Sequence, residues 1–265
     1  MALQKYWVLL KLSWQNGFVY RTNVILWRFR QFLSTLMALT VWQVIFSQQG
    51  SAFNYSGAEM TTYIFLAAFL QSFILATALN GLANRIYSGQ FSFDLLKPIN
   101  LYAYLGTEDL ADKLKNVGFL VVETIILWFI FRPELSVPGW EIGALFAFWL
   151  AGGILLNFLV TLLFGAMGFW SPDVWGPRFL FFIFVEFTAG KLFPLDILPE
   201  LIQRIILWTP FPFFAFLQSQ LFLEKLSSAE VWQYSGMLIF WIVLFALVVS
   251  AVWKRGIRNY DAAGQ

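Results

Sequence analysis

Residues 142–168 read IGALFAFWLAGGILLNFLVTLLFGAMG, and no Asp, Glu, Lys or Arg interrupts them. A helix needs about 20 consecutive apolar residues to cross the roughly 30 Å of hydrocarbon in a bilayer, and this run exceeds that. A helix that is apolar on every face has no side to turn to water. Working outward, comparable runs lie near 29–47, 61–83, 117–131, 179–193 and 232–253. With 142–168 they make six candidate transmembrane helices. The runs at 117–131 and 179–193 are short, and cross only with help from flanking residues or local thinning of the bilayer. No internal repeat is visible.

Composition points the same way. Of the 265 residues, 60% are hydrophobic and 12% charged, with a mean hydropathy of +0.70. A water-soluble chain carries roughly 25% charged residues, so lipid rather than water is the solvent that fits this surface. There is no Cys and no His. Thiolate chemistry and the commonest general base and metal ligand are therefore missing, and no catalytic or metal site is expected. A net charge of +2 gives no support to nucleic-acid binding.

The charges set a direction. With both termini in the cytoplasm, Arg132, Lys191, Arg204 and Lys225 are the only ones of the 17 Lys and Arg residues left outside. That is the asymmetry of the positive-inside rule, and the opposite orientation inverts it. The expected location is the inner membrane of a bacterium, multi-pass.

The segments between spans are more than turns. Residues 1–22 read as an interfacial helix rather than a removable leader. Leu3, Tyr6, Trp7, Leu10, Trp14 and Phe18 recur at helical spacing, with Lys5, Lys11 and Gln15 on other sides and Val8, Leu9 and Leu12 blurring the polar face. The cytoplasmic segment 84–116 mixes Gly, Pro and charge and has room for short surface helices. The outer segment 191–230 stays apolar but is punctuated by Pro194, Pro199, Pro210 and Pro212, which break helices. Short re-entrant or external helices are expected there, with their free backbone groups buried in protein. The fold class expected is thus an all-α polytopic membrane protein, a single permease-like domain over 1–265.

Motifs narrow the function. No G-x-x-x-x-G-K-[ST] occurs, so this sequence holds no P-loop for nucleotide phosphates. The inner segment reads Asn84-Arg85-Ile86-Tyr87-Ser88-Gly89-Gln90, then Leu95-Leu96-Lys97-Pro98-Ile99 and Leu105-Gly106. The outer segment carries Leu192-Phe193-Pro194-Leu195-Asp196-Ile197-Leu198-Pro199 and Trp208-Thr209-Pro210-Phe211-Pro212. The tail is Trp253-Lys254-Arg255-Gly256-Ile257-Arg258-Asn259-Tyr260. In this order, and on these sides, the three motifs resemble ATP-binding-cassette exporter permeases of the second type, over essentially the whole chain.

The resemblance implies a permease that pairs with a second permease subunit, identical or homologous, and docks two ATPase subunits, which bind the ATP and Mg2+. It further implies that the inner loop is a coupling element, placing Arg85, Tyr87, Ser88, Gly89, Gln90, Phe91, Phe93, Asp94 and Lys97 at the ATPase contact. Aromatic anchors ringed by charge suit such an interface; without the resemblance they read as a solvated loop resting on headgroups.

Within the spans, Glu123 and Glu186 are the acids. Such a group costs about 3 kcal/mol at the membrane centre on insertion scales, so each must face protein or water. They line a substrate path, pair with Arg28 or Arg30, or stay protonated between helices. The plain reading of Arg28 and Arg30 is snorkelling to the inner headgroups. Asn157 is a path candidate that reads equally as interhelical glue, and Gly152, Gly153, Gly165 and Gly168 as close-packing positions. Two other classes compete with export: an ion-coupled secondary transporter, and a membrane-embedded lipid-modifying enzyme built on Asp94, Glu108, Asp109 and Asp112, acids whose spacing is equally that of a solvated, charged helix running into Lys113 and Lys115.

Overall fold

Capping residues mark where several apolar runs become helices. Ser56 and Glu59 form a reciprocal capping box at the start of one, Ser227 and Glu230 at another, and the Asn100 side chain accepts from the Ala103 amide at 3.0 Å at a third. Each satisfies amide donors that a helix start leaves bare. The computed structural model describes residues 2–19, 21–48, 51–132, 135, 138–171 and 173–260. In chain order these form α1 (Ala2–Asn16), α2 (Arg21–Gln48), a two-residue antiparallel hairpin of β1 (Ser51–Ala52) and β2 (Tyr55–Ser56), and α3 (Gly57–Leu70). After these come α4 (Leu82–Tyr87), α5 (Phe91–Leu95), α6 (Leu101–Phe131), α7 (Trp140–Ala166) and α8 (Trp175–Thr188). The last are α9 (Glu200–Leu207), α10 (Phe216–Phe222) and α11 (Ser228–Arg258).

Among the described residues, five helices are long and apolar enough to cross a membrane: Arg21–Gln48, Gly57–Leu75, Leu101–Phe131, Trp140–Phe169 and Ser228–Arg258. They leave large apolar side chains bare, among them Ile25, Met37 and Val44 of α2, Val122 and Phe129 of α6, and Phe240 and Leu247 of α11. Contiguous apolar exposure on this scale is untenable in water and ordinary in lipid.

The sixth expected span, 179–193, coincides with α8, whose 14 residues reach about 21 Å at 1.5 Å per residue. Gly190 ends it, with a φ of +72° that a side chain rarely adopts. There the Tyr63 hydroxyl donates to the Gly190 carbonyl and the Phe216 amide to the Ala189 carbonyl. The chain then folds back into the bundle. Leu195, Phe213, Phe214, Phe216, Leu217 and Leu221 are buried in one core with Met60 and Leu70 of α3, Trp149 and Leu156 of α7 and Leu238 of α11.

Two neighbours show what this stretch must accomplish. Trp149 Nε1 donates to Ser235 Oγ at 2.9 Å, Leu238 lies over Gly152, and Trp253 Nε1 donates to the Leu162 carbonyl at 3.0 Å. Contacts advance together along α7 and α11, so the two helices run parallel. The chain joining them must climb the length of the bundle between 170 and 227.

Two features depart from the sequence reading. The third apolar run, expected at 117–131, belongs to a helix that begins at Leu101, so half of the anticipated surface segment is a continuous extension of a span. Lys113, expected on a solvated charged face, is 0% exposed. The cause is a break in α3, described below.

Candidate functional site

The segment 82–108 folds as a wedge at the end of the bundle where α3, α7 and α11 finish. α4 and α5 are joined by a turn at Gly89, whose φ is +79°. Phe91 at the start of α5 is fully buried and meets Phe169, Trp253 and Tyr260 edge-on, at centroid distances of 6.3, 5.8 and 5.9 Å. Such edge-to-face contacts are favoured by the ring quadrupoles. The tail therefore seats on the 82–108 wedge, two segments far apart in sequence. At Gly256 a Cβ would lie 2.2 Å from the Phe169 ring, so only glycine allows α11 to come this close.

A charge network holds the wedge. Arg85 faces Glu108 at 3.0 Å and Asp94 at 3.4 Å. Lys97 bonds Asp94 at 2.8 Å and the Tyr104 hydroxyl at 2.7 Å, and that hydroxyl donates to Glu108 at 2.8 Å. Burial works against both cationic charges, but Glu108 and Asp94 outweigh it at Arg85, and Asp94 and Tyr104 at Lys97, so each pKa lies above its ordinary value. The nine residues singled out in the sequence thus divide. Phe91, Asp94 and Gly89 are buried and Arg85 and Tyr87 half-buried, all part of the scaffold, while Ser88, Gln90, Phe93 and Lys97 are exposed. Phe93 is 72% exposed and Leu96, not among the nine, 80%. Its signal was in the Leu95-Leu96-Lys97-Pro98 motif: two leucines with no helical period left to bury both.

Above the wedge the second span is broken. α3 passes through a π-turn at Gln71–Leu75, then Ala76 and Thr77 are extended, with ψ of 136° and 134°. The carbonyls this frees would be unpaired in the bundle interior, at a cost of several kcal/mol in hydrocarbon. Lys113 Nζ donates to the Ile74 carbonyl at 2.9 Å and also to that of Ala76, and Asn157 Nδ2 donates to Ile74 at 2.7 Å. Asp109 balances Lys113 at 3.1 Å.

Deeper in the bundle, Arg28 does not snorkel. It is 8% exposed, its Nε donates to Glu123 at 2.8 Å, and Nη1 reaches Ser72 in the π-turn at 3.2 Å. A fork-shaped cation meeting a carboxylate cancels two charges neither of which lipid tolerates. Glu186 pairs with neither arginine: both its oxygens accept from Lys191, at 2.8 Å. Arg30 packs over the Trp27 ring at 4.4 Å and has no carboxylate partner among the described residues.

In the segment 191–230, Pro194, Pro210 and Pro212 are buried and Pro199 is exposed at the start of α9. Asp196 accepts from Tyr55 at 2.7 Å and from Gln220 at 3.1 Å, pinning the segment to the β1–β2 hairpin. Burial and the adjacent Asp196 raise the Tyr55 pKa far above its ordinary value, so the phenol stays a donor. α9 has no buried residue and exposes Leu201 and Ile205, and Trp208 just beyond its end is bare as well. The acids considered for catalysis are all in ion pairs: Asp94 and Glu108 as above, Asp109 with Lys113, and Asp112 with Lys115.

No curated protein matches the chain. A family model described as an ABC-2 family transporter protein matches residues 32–264. That match runs from within α2 through the proline-broken segment 191–230 to the tail, and takes in the 82–108 wedge, the later part of α2 and the other four long apolar helices. The chain belongs to the ABC-2 family of transporter membrane proteins.

Proposed function

We propose that this chain is the permease subunit of an ATP-driven exporter that moves a hydrophobic or amphipathic substrate such as a drug, lipid or peptide. Two permease subunits, identical or homologous, would pair, with two separate ATPase subunits supplying ATP and Mg2+. The observation that carries the reading is the wedge of α4 and α5. Its base is locked by the Arg85–Asp94–Lys97–Tyr104–Glu108 network and the Phe91 aromatic cluster, and its tip presents Phe93 and Leu96 bare. A rigid projection with an apolar tip ringed by charge suits a protein partner that pushes and pulls.

Six crossings with both termini in the cytoplasm fit best. α7 and α11 run parallel, so one net crossing separates them, and α8 with the re-entrant segment supplies it. The wedge, α1 and the tail then share the cytoplasmic side, with α1 at the headgroups, and the β1–β2 hairpin and α9 lie outside. Closure of the ATPases would move the wedge, and with it the broken second span, biasing a two-state permease between inward and outward openings.

The test is affinity capture of the tagged chain from its own host after gentle solubilisation. A P-loop ATPase should co-purify, and Phe93→Asp with Leu96→Asp should reduce it about tenfold or more while the thermal transition stays in place. A stable particle with no ATPase, or capture indifferent to both changes, would favour an ion-coupled transporter or an enzyme instead.

A further inference from the structure

A cleft of about 180 Å³ opens between α2 and α8, lined by Arg30, Gln31, Ser34, Phe182, Glu186 and Lys191. Arg30 lies nine residues into α2 and Glu186 eleven into α8, about 14 and 16 Å along their axes. Arg30 lies within a candidate span, where an arginine with no opposite charge beside it marks a site that has a partner. Glu186 is fully engaged by Lys191, whose side chain is 10% exposed. The cleft therefore holds two cations and one anion, and Arg30 is the charge left over. Gln31 and Ser34 add neutral hydrogen-bonding groups on the same wall. Around the opening, Leu33 and Ile183 face outward as apolar surface.

We infer that this cleft binds an amphiphile with a single acidic head, a carboxylate or phosphate, whose oxyanion sits between Arg30 and Lys191 and whose hydrocarbon tail lies along the apolar faces of α2 and α8. Charge decides the class: an anionic head neutralises the site, a cationic one doubles the imbalance, and a neutral one leaves Arg30 bare. The inference rests on the export reading only in calling such a molecule cargo; the binding itself needs no ATPase.

The probe is doxyl-labelled stearic acid added to the full chain in phosphatidylcholine nanodiscs, followed by electron spin resonance, with the methyl ester as the same tail without the charge. The acid should show an immobilised fraction near one per chain and the ester none. Arg30→Gln should weaken binding about tenfold, the loss of one charge-assisted contact. Glu186→Gln should tighten it, because it removes the competing carboxylate; a merely structural Glu186 gives no tightening.

Displacement by phosphatidylglycerol would identify a membrane lipid as the source, and resistance to it a free single-chain acid. Equal binding of the ester, binding unchanged in both variants, displacement by inorganic phosphate alone as effective as by amphiphile, or a cleft closed to the probe by a second copy of the chain would each overturn the inference. A chain that binds the acid but captures no ATPase would keep the site and lose the exporter.

Discussion

Lys113→Met tests whether the break in the second span is held from the neighbouring helix. Methionine keeps the length and apolar stem of lysine and removes the charge. The variant leaves Asp109 buried without its cation and the Ala76 carbonyl without its Lys113 donor, while Ile74 keeps the bond from Asn157. Removing one partner of a buried ion pair costs about 3–5 kcal/mol, and a domain of this size loses about 2–4 °C of thermal stability per kcal/mol. A fall of about 10 °C is expected in the unfolding transition of the detergent-solubilised protein, followed by Trp fluorescence. Adding Asp109→Asn removes the orphaned charge and should restore about half of the loss, a negative interaction energy between neighbours. A single variant within about 2 °C of the parent, or a double variant falling by the sum of both singles, would refute the latch.

Two further outcomes follow from packing and pairing. Gly168→Ala should destabilise by about 2 kcal/mol, because its Cβ would sit 2.1 Å from the Ala83 carbonyl oxygen, a backbone atom that cannot swing aside; Gly143→Ala, with nothing within 4 Å, should be neutral or slightly stabilising in the same melting assay. Arg28→Gln and Glu123→Gln should each cost about 3 kcal/mol and together clearly less than the sum, and additive losses in that double-mutant cycle would show that the pair does not act as one unit.

The apolar runs and the wedge loop were readable because their signals are local. A 31-residue helix ending in Lys254, Arg255 and Arg258 announces itself by composition, and so does a proline-broken segment. Local signals mislead where a remote group answers them. Lys113 sits among acids at helical spacing and looks solvated, and nothing in that stretch reveals two bare carbonyls on another helix. Arg28, near the start of a span, looks destined for the headgroups until Glu123 of α6 is brought beside it. Lys191 looks like a free surface charge until both oxygens of Glu186 are found accepting from it.

Sequence by itself determined that this is a helical membrane protein, where its long spans run, and which loop and tail carry the family's motifs, because hydrophobic length and charge placement are properties of the chain that no partner alters. Only the tertiary structure decided which charges cancel, that Phe91 is scaffold while Phe93 and Leu96 face out, and which residues of the proline-broken segment fill the core. Pairing and burial depend on distances between residues far apart in the chain, and those are set by packing.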